Sequence, residues 1–416
     1  MTRLVSLRIG NKKSTLSKRD VSNVLATGKN LSGSEIANRT LGNSLRYTFL
    51  GHSYQSLFRR LRASIKISAR TGRVVTSAFA VSSLLIGFSF HPASADPTRI
   101  DSPAINGQAF TNVYRWSDGA AKPRAVVIAI HGLTMHGTVF ESLARHLASQ
   151  GILVYAPDLR GYGAWHKSEE KAKEQSCEDR DNHSKIAYQA SCRDVVDLIA
   201  AAKSENPDIP LYCIGESLGA DVAMIAAGKV PNLIDGLIVS SPAIKRKIHL
   251  EHMALDVGKA VTSAHMTLNV TPYLKYFASE DARVTNEALN DPLVRKQLSA
   301  QDIMQSFKFI DSGLKFADTV PDKTPVLVLQ GDKDEIIDSA GVLKLAQHLS
   351  SNDQTIKWFK GKGHLLLETS FISEKALSAV DQWLDRQVSG SEVPMPLAVS
   401  LHKNLGIPLE EQLASQ

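Results

Sequence analysis

From Ala125 onward one pattern recurs, a short wholly apolar run followed by a stretch of helical periodicity. The runs are Ala125–Ile130 (AVVIAI), Ile152–Ala156 (ILVYA), Leu211–Ile214, Leu237–Val239, Val326–Leu329 and Ile356–Phe359. They are short and mostly rich in β-branched residues, which predicts strands. Between them, Val139–Ser149 places Phe140, Leu143, Ala144 and Leu147 on one helical face, and Gly151 stops it. Ile186–Ala202 reads as a helix with Val195, Val196, Leu198 and Ile199 in its apolar set, and Leu218–Ala227 as a small-residue helix. Phe371–Gln387 is a closing helix with Ala376, Leu377, Val380, Trp383 and Leu384 as its buried stripe. Strand–helix alternation at this spacing gives βαβ units and an α/β fold, a mostly parallel sheet with helices on both faces. Strands that are apolar throughout agree, because such a sheet is covered on each side. In such sheets chemistry gathers at the carboxyl ends of the strands.

One strand end carries G-x-S-x-G, Gly215-Glu216-Ser217-Leu218-Gly219, directly after Leu211–Ile214 and directly before a helix. A turn this sharp puts the serine in a strained conformation and needs small neighbours, which Gly215 and Gly219 supply. Ser217 then sits at a helix N-terminus, where backbone N–H groups and the helix dipole favour developing negative charge. At the end of the first apolar strand stand His131, Gly132 and Leu133. Gly132 lets this loop pass close to the serine. The backbone N–H groups of Leu133 and Leu218 are placed to bind a carbonyl oxygen as it becomes an oxyanion. His131 is expected to orient the loop rather than transfer protons.

A serine hydroxyl needs a base beside it, and the base needs an acid to hold its tautomer. In a fold with this nucleophile turn the chain order is Ser, acid, His. His364 follows a late strand and a glycine-rich turn and precedes the closing helix. His348 lies in a helical pattern and His402 in the tail. For the acid, Asp332 and Asp334 compete in the loop after Val326–Leu329. Asp338 reads as a cap for a helix over Ser339–Leu349. Glu216 and Asp221 read as local hydrogen-bonding residues.

With these motifs in order, residues 110–385 resemble the α/β-hydrolase family of monoacylglycerol lipases, lysophospholipases and serine aminopeptidase-like hydrolases. HGL at 131–133 resembles that family's oxyanion loop, PDLRGYG at 157–163 its D-x-x-G-x-G segment, and GESLG at 215–219 its nucleophile turn. NDPLV at 290–294, QGDKDEII at 330–337 and GKGHLLLE at 361–368 resemble its cap, acid and histidine segments. The resemblance implies a triad of Ser217, Asp334 and His364, a carboxylic ester or lipid substrate, and neither metal nor organic cofactor. It also implies a helical cap inserted between core strands, here at about 242–321. Met253, Leu255, Met266, Leu268, Tyr273, Phe277, Met304, Phe307 and Phe309 are the cap's apolar residues. They are candidates for an acyl pocket or for packing the cap onto the core. The loop from Gly163 to Ile186 is long and charged, and KRKIHLEH at 245–252 opens the cap with unusual polarity.

Residues 1–95 read as an address. They hold 15 basic residues and two acids, Asp20 and Glu35, whereas the rest of the chain holds 33 basic and 40 acidic residues. The formal charge of +6 therefore belongs to the leader, and the body gives no electrostatic reason to expect nucleic-acid binding. The uncharged run 74–90 follows a cluster of arginines and precedes HPASAD, the pattern of an export signal cleaved near Ala95. A retained membrane anchor is the alternative. The expected organisation is a leader over 1–95, a hydrolase domain over 96–388 and a loosely attached tail over 389–416. The expected enzyme is periplasmic or secreted, with transient membrane or lipid-surface contact through the cap. Cys177 and Cys192 are candidates for one disulfide, and Cys213 for simple burial. Acyl transfer to an alcohol, peptide cleavage and a non-catalytic binding role on the same fold remain as alternatives.

Overall fold

The computed structural model of the protein describes residues 7–9, 12–14, 96–119, 122–166, 185–247, 267–338, 340–390 and 399–401. The apolar run 74–90, Cys177 and the cap residues Met253, Leu255 and Met266 lie outside the described residues. The chain divides into two compact units, Met1–Phe88 and Ser89–Gln416. In the first, Leu7–Ile9 pairs antiparallel with Lys12–Ser14.

The second unit is built on nine strands: β1 (Thr98–Asp101), β2 (Val113–Ser117), β3 (Ala125–Ile130), β4 (Ile152–Pro157), β5 (Leu211–Glu216), β6 (Gly236–Ser240), β7 (Val326–Gly331), β8 (Gln354–Phe359) and β9 (Val399–Leu401). Their order across the sheet is β9-β8-β7-β6-β5-β3-β4-β2-β1. The six strands from β3 to β8 are parallel to their neighbours. Three further strands join antiparallel: β1 and β2 at one edge, β9 at the other. Sequence reading supplies none of these three. β1 is exposed along its length, so it carries no apolar run to betray it. β9 falls within residues expected to be a loose tail, yet Leu401 pairs with Gln354 and Val399 with Ile356.

The central strands are buried on both faces, and alternate residues belong to different cores. Val126, Ile128 and Ile130 pack with the helices α2 (Tyr188–Glu205), α3 (Leu218–Lys229) and α8 (Gly341–His348). Ala125, Val127 and Ala129 pack with α1 (Glu141–Ser149) and α9 (Glu374–Ser389). Trp383 of α9 meets Tyr212 of β5 edge-on at 5.7 Å between ring centroids.

Helix limits differ from expectation for local reasons. The turn Gly137–Phe140 is a 3₁₀ segment, so α1 begins at Glu141. α2 starts at Tyr188 rather than Ile186 and runs on to Glu205. α9 starts at Glu374 because the Ser373 hydroxyl accepts the Ala376 N–H, and it stops at left-handed Gly390. Asp338 accepts the Ala340 N–H at 3.0 Å and thereby shapes the turn before α8 instead of capping it. Cys192 is a free thiol buried in α2, so the bridge considered for it is not made. Cys213 is likewise free and buried, in β5.

Between β6 and β7 the chain leaves the sheet and forms α4 (Thr271–Phe277), α5 (Ala282–Asn290), α6 (Ala300–Ile310) and α7 (Gly313–Ala317). A short ladder of Thr267–Asn269 with Gln297–Ser299 ties them together. Leu274, Ala278, Val284, Ala288 and Val294 of this insertion pack against Met135 and Leu365, which follow the ends of β3 and β8. The cap therefore sits on loops at the carboxyl side of the sheet.

Candidate active site

The steric demand of the turn after β5 explains its sequence. Ser217 has φ 55° and ψ −120°, a conformation most residues avoid. A Cβ at Gly215 would lie 2.3 Å from the Gly219 carbonyl oxygen, and one at Gly219 would lie 2.0 Å from that of Ile130. The Ser217 N–H donates to Ser240 O at 2.9 Å, which pins the turn to the end of β6. Leu218 opens α3, so its N–H has no acceptor within the helix.

His364 and Asp334 come from the loops after β8 and β7 and meet in the interior. His364 Nδ1 lies 2.8 Å from Asp334 Oδ2, with side-chain exposures of 4% and 0%. Asp334 also accepts the N–H groups of Ile336 and Ile337 and the Gln330 amide. Burial alone would raise the Asp334 carboxyl, but the His364 charge and these donors outweigh it and hold it below the usual range. Burial likewise acts to lower His364, and the charges of Asp334 and Glu216 with the Asp334 hydrogen bond reverse this, so the imidazole is raised. Of the two competing aspartates, Asp334 meets the histidine. Asp332 accepts the Gly361 N–H at 2.5 Å and shapes an exposed turn.

The loop after β3 is braced from several sides. His131 is fully buried; Nε2 accepts the Leu159 N–H at 2.9 Å, so Nδ1 carries the proton and donates to Gly132 O at 2.8 Å. Burial pushes this imidazole down to about 3, and it stays neutral. A Cβ on Gly132 would lie 3.1 Å from Ser217 Cβ, so the Gly132–Leu133 segment runs directly against the nucleophile turn. Further along, Asp158 accepts the Gly137 N–H at 2.7 Å and the Tyr114 hydroxyl at 3.1 Å. From the cap, Asp291 meets His136 Nε2 at 3.1 Å and the Arg295 N–H donates to Thr134 O at 2.8 Å.

Sequence reading places Glu216 among local hydrogen-bonding residues, and its reach is much longer. Its carboxylate accepts the Ser240 hydroxyl and the N–H groups of Leu366, Leu367 and Glu368, some 150 positions away. The residue before the serine thus grips the loop that carries the histidine. Asp221 does the reverse of its expectation: it is wholly buried, with neither carboxylate oxygen hydrogen-bonded. Burial drives its pKa well above the usual carboxyl range. The cap holds the same histidine loop through Glu280, which accepts the Gly363 N–H at 2.6 Å, and through Ala278 O, which accepts the Leu365 N–H at 3.0 Å. No motif marks Glu280 in the sequence, and Glu368 stands out there only as the acid that ends the GKGHLLLE segment.

Of the apolar cap residues, Leu268 is buried and Phe309 stacks on Tyr188 of α2 at 4.6 Å, so both pack the cap. Met304 is 65% exposed. Among the described residues no cluster of His, Cys, Asp and Glu is arranged to hold a metal ion.

The chain is similar to known proteins in sequence and in fold. The profile described as serine aminopeptidase, S33, matches residues 121–370. A monoglyceride lipase homolog of Monkeypox virus is 28% identical over 271 residues, which is 64% of this chain and 91% of the viral protein. A monoacylglycerol lipase of Mycolicibacterium smegmatis is 25% identical over 246 residues, 58% of this chain and 81% of that protein. The crystal structure of Paleococcus ferrophilus monoacylglycerol lipase superposes with a TM-score of 0.51 at 26% identity, covering 67% of this chain and 98% of that one. The sheet, the inserted cap and the nucleophile turn are those of an α/β-hydrolase, and the chain belongs to the hydrolase family described as serine aminopeptidase, S33.

Proposed function

We propose that this protein is a serine carboxylic ester hydrolase that works through an acyl-enzyme on monoacylglycerols, lysophospholipids or similar esters. The observation that carries the reading is the buried Asp334–His364 pair, with the loop after His364 gripped by Glu216 beside the strained Ser217. In this mechanism His364 takes the Ser217 proton as Oγ attacks the ester carbonyl. Asp334 fixes the tautomer with the proton on Nδ1 and stabilises the imidazolium. The Leu133 and Leu218 N–H groups receive the oxyanion, each worth about 2.7–4 kcal/mol of transition-state stabilisation. His364 then protonates the leaving alcohol, activates water, and the acid is released. The monoglyceride and monoacylglycerol lipases among its relatives support the substrate class. The export pattern of residues 59–96 supports action outside the cytoplasm, and exposed Met304 and Tyr276 support contact of the cap with lipid.

The test is hydrolysis of p-nitrophenyl esters from acetyl to palmitoyl, together with a monoacylglycerol, by wild type and Ser217→Ala. Wild type is expected to turn over and the variant to lose activity by about 10⁶-fold. A folded wild type that cleaves no ester and takes up no fluorophosphonate probe would sink the proposal.

A further inference from the structure

Gly132 is held at both ends of its backbone. Its carbonyl takes the His131 Nδ1 proton, and its N–H donates to Glu368 Oε1 at 2.6 Å. The Gly132 carbonyl and the Leu133 N–H belong to one planar trans peptide and point in opposite directions. Fixing that carbonyl and the preceding N–H therefore fixes where the Leu133 N–H aims. Gly132 is also wedged laterally. The position of a Cβ there lies 3.1 Å from Ser217 Cβ, 3.2 Å from Glu216 O and 3.4 Å from Glu368 Oε2. Glu368 thus stands against the glycine on the same side as the nucleophile turn.

The state of this carboxyl follows from its surroundings. Glu368 is 4% exposed, its Oε2 has no hydrogen-bond partner, and it makes no ion pair among the described residues. Its neighbour is the Glu216 carboxylate, which already gathers one hydroxyl and three N–H donors. Glu368 also lines a cavity of about 260 Å³ with three further acids, Glu141, Glu287 and Asp291, and with Arg99. Burial raises both carboxyls, but Glu216 has four donors acting to lower it, whereas Glu368 has only the Gly132 N–H. Burial first, then the Glu216 charge, drives Glu368 well above the usual carboxyl range.

We propose that Glu368 is a positioning residue: as a neutral carboxylic acid it holds the Gly132 peptide against the nucleophile turn and so aims the Leu133 N–H at the oxyanion. This rests on the reading of Leu133 as an oxyanion donor. His364 and Glu368 ride on one loop, so base and brace move together. Glu216, gripping residues 366–368, locks that loop to Ser217.

The experiment compares full-length wild type, Glu368→Gln, Glu368→Ala and Glu368→Met. It reads kcat and KM for p-nitrophenyl butyrate, inhibition by a trifluoromethyl ketone transition-state analogue, and Tm. Gln keeps the acceptor and the neutral charge and is expected within about threefold of wild type. Ala and Met lack the acceptor and are expected to lose about 10- to 100-fold in kcat at unchanged KM, the scale of a small misplacement of a catalytic group. Analogue affinity should fall by the same factor. Met fills the space that Ala empties, so a loss shared by Met at near-native Tm is not a folding defect. Full activity in Met, or a Gln variant as poor as Ala, overturns the proposal. An inert wild type takes down the ester-hydrolase reading with it, whereas an active wild type beside an active Met variant overturns this inference alone.

Discussion

Asp334 shows how much a single carboxylate does here. Its oxygens accept two backbone N–H groups and an amide and still reach His364 at 2.8 Å. Its charge helps hold the His364 pKa above that of a free imidazole. The base must be neutral to take the Ser217 proton, so activity is lost as pH falls through that raised pKa. Asp334→Asn removes the charge and supplies a donor to Nδ1, which leaves the wrong tautomer facing the serine. We expect kcat to fall by about 10⁴. The acid limb of the kcat/KM profile should move to lower pH, because the charge that raised His364 is gone. A variant with wild-type kcat, or an unmoved limb, would show that Asp334 neither orients nor charges the base. The acid's place in the chain order is legible in the sequence and the resemblance singles out Asp334; the structure gives the physical reason, since Asp334 turns inward to His364 and Asp332 outward to the Gly361 N–H.

At the scale of elements, the strand–turn–helix around Ser217 is the most legible part of the molecule. Periodicity locates β5 and α3, and the glycines follow from contacts too close for any side chain. Gly219→Ala puts a methyl 2.0 Å from the Ile130 carbonyl oxygen, which only movement of β3 or α3 can relieve. Forced overpacking of this kind costs about 1–3 kcal/mol. The expected outcome is a lowered Tm and a loss of kcat well beyond 100-fold, read by thermal melting and ester turnover. An active variant of native Tm would mean that the turn has room for a side chain at this position. The edge strands are not legible. β1 is wholly exposed and β9 is three residues long, and such strands are defined by their partners rather than by their own pattern. The cap helices carry clearer signals, including the Ser299 capping box that starts α6.

At the scale of the whole molecule the two parts of the chain carry opposite charge. The first 95 residues are strongly basic, and the remainder has more acids than bases. If the leader is an export signal, the mature enzyme begins at Asp96 and focuses at an acidic isoelectric point, unlike the whole chain at about 9.0. Intact mass and isoelectric focusing of protein from the exported fraction check this. Recovery of the chain with residues 74–90 attached, in the membrane fraction, would favour the anchor instead. The cap is joined to the body by buried polar contacts as well as by packing. Arg295 donates to Gly161 O and to Asp302 and is 8% exposed, and Tyr162, Tyr188 and Ser306 form a buried hydroxyl chain from core to cap.

The amino-acid sequence by itself determined the type and order of the core elements, the nucleophile turn, and the histidine and acid loops. Those properties are local, being set by side-chain periodicity and by steric limits within a few residues of each glycine. Only the tertiary structure decided which carboxyls are buried and what surrounds them, where the edge strands pair and how the cap grips the loops. Each of these depends on groups far apart in the chain, such as Glu216 and the N–H groups of residues 366–368. Desolvation and hydrogen bonding at such contacts exist only once the chain has folded.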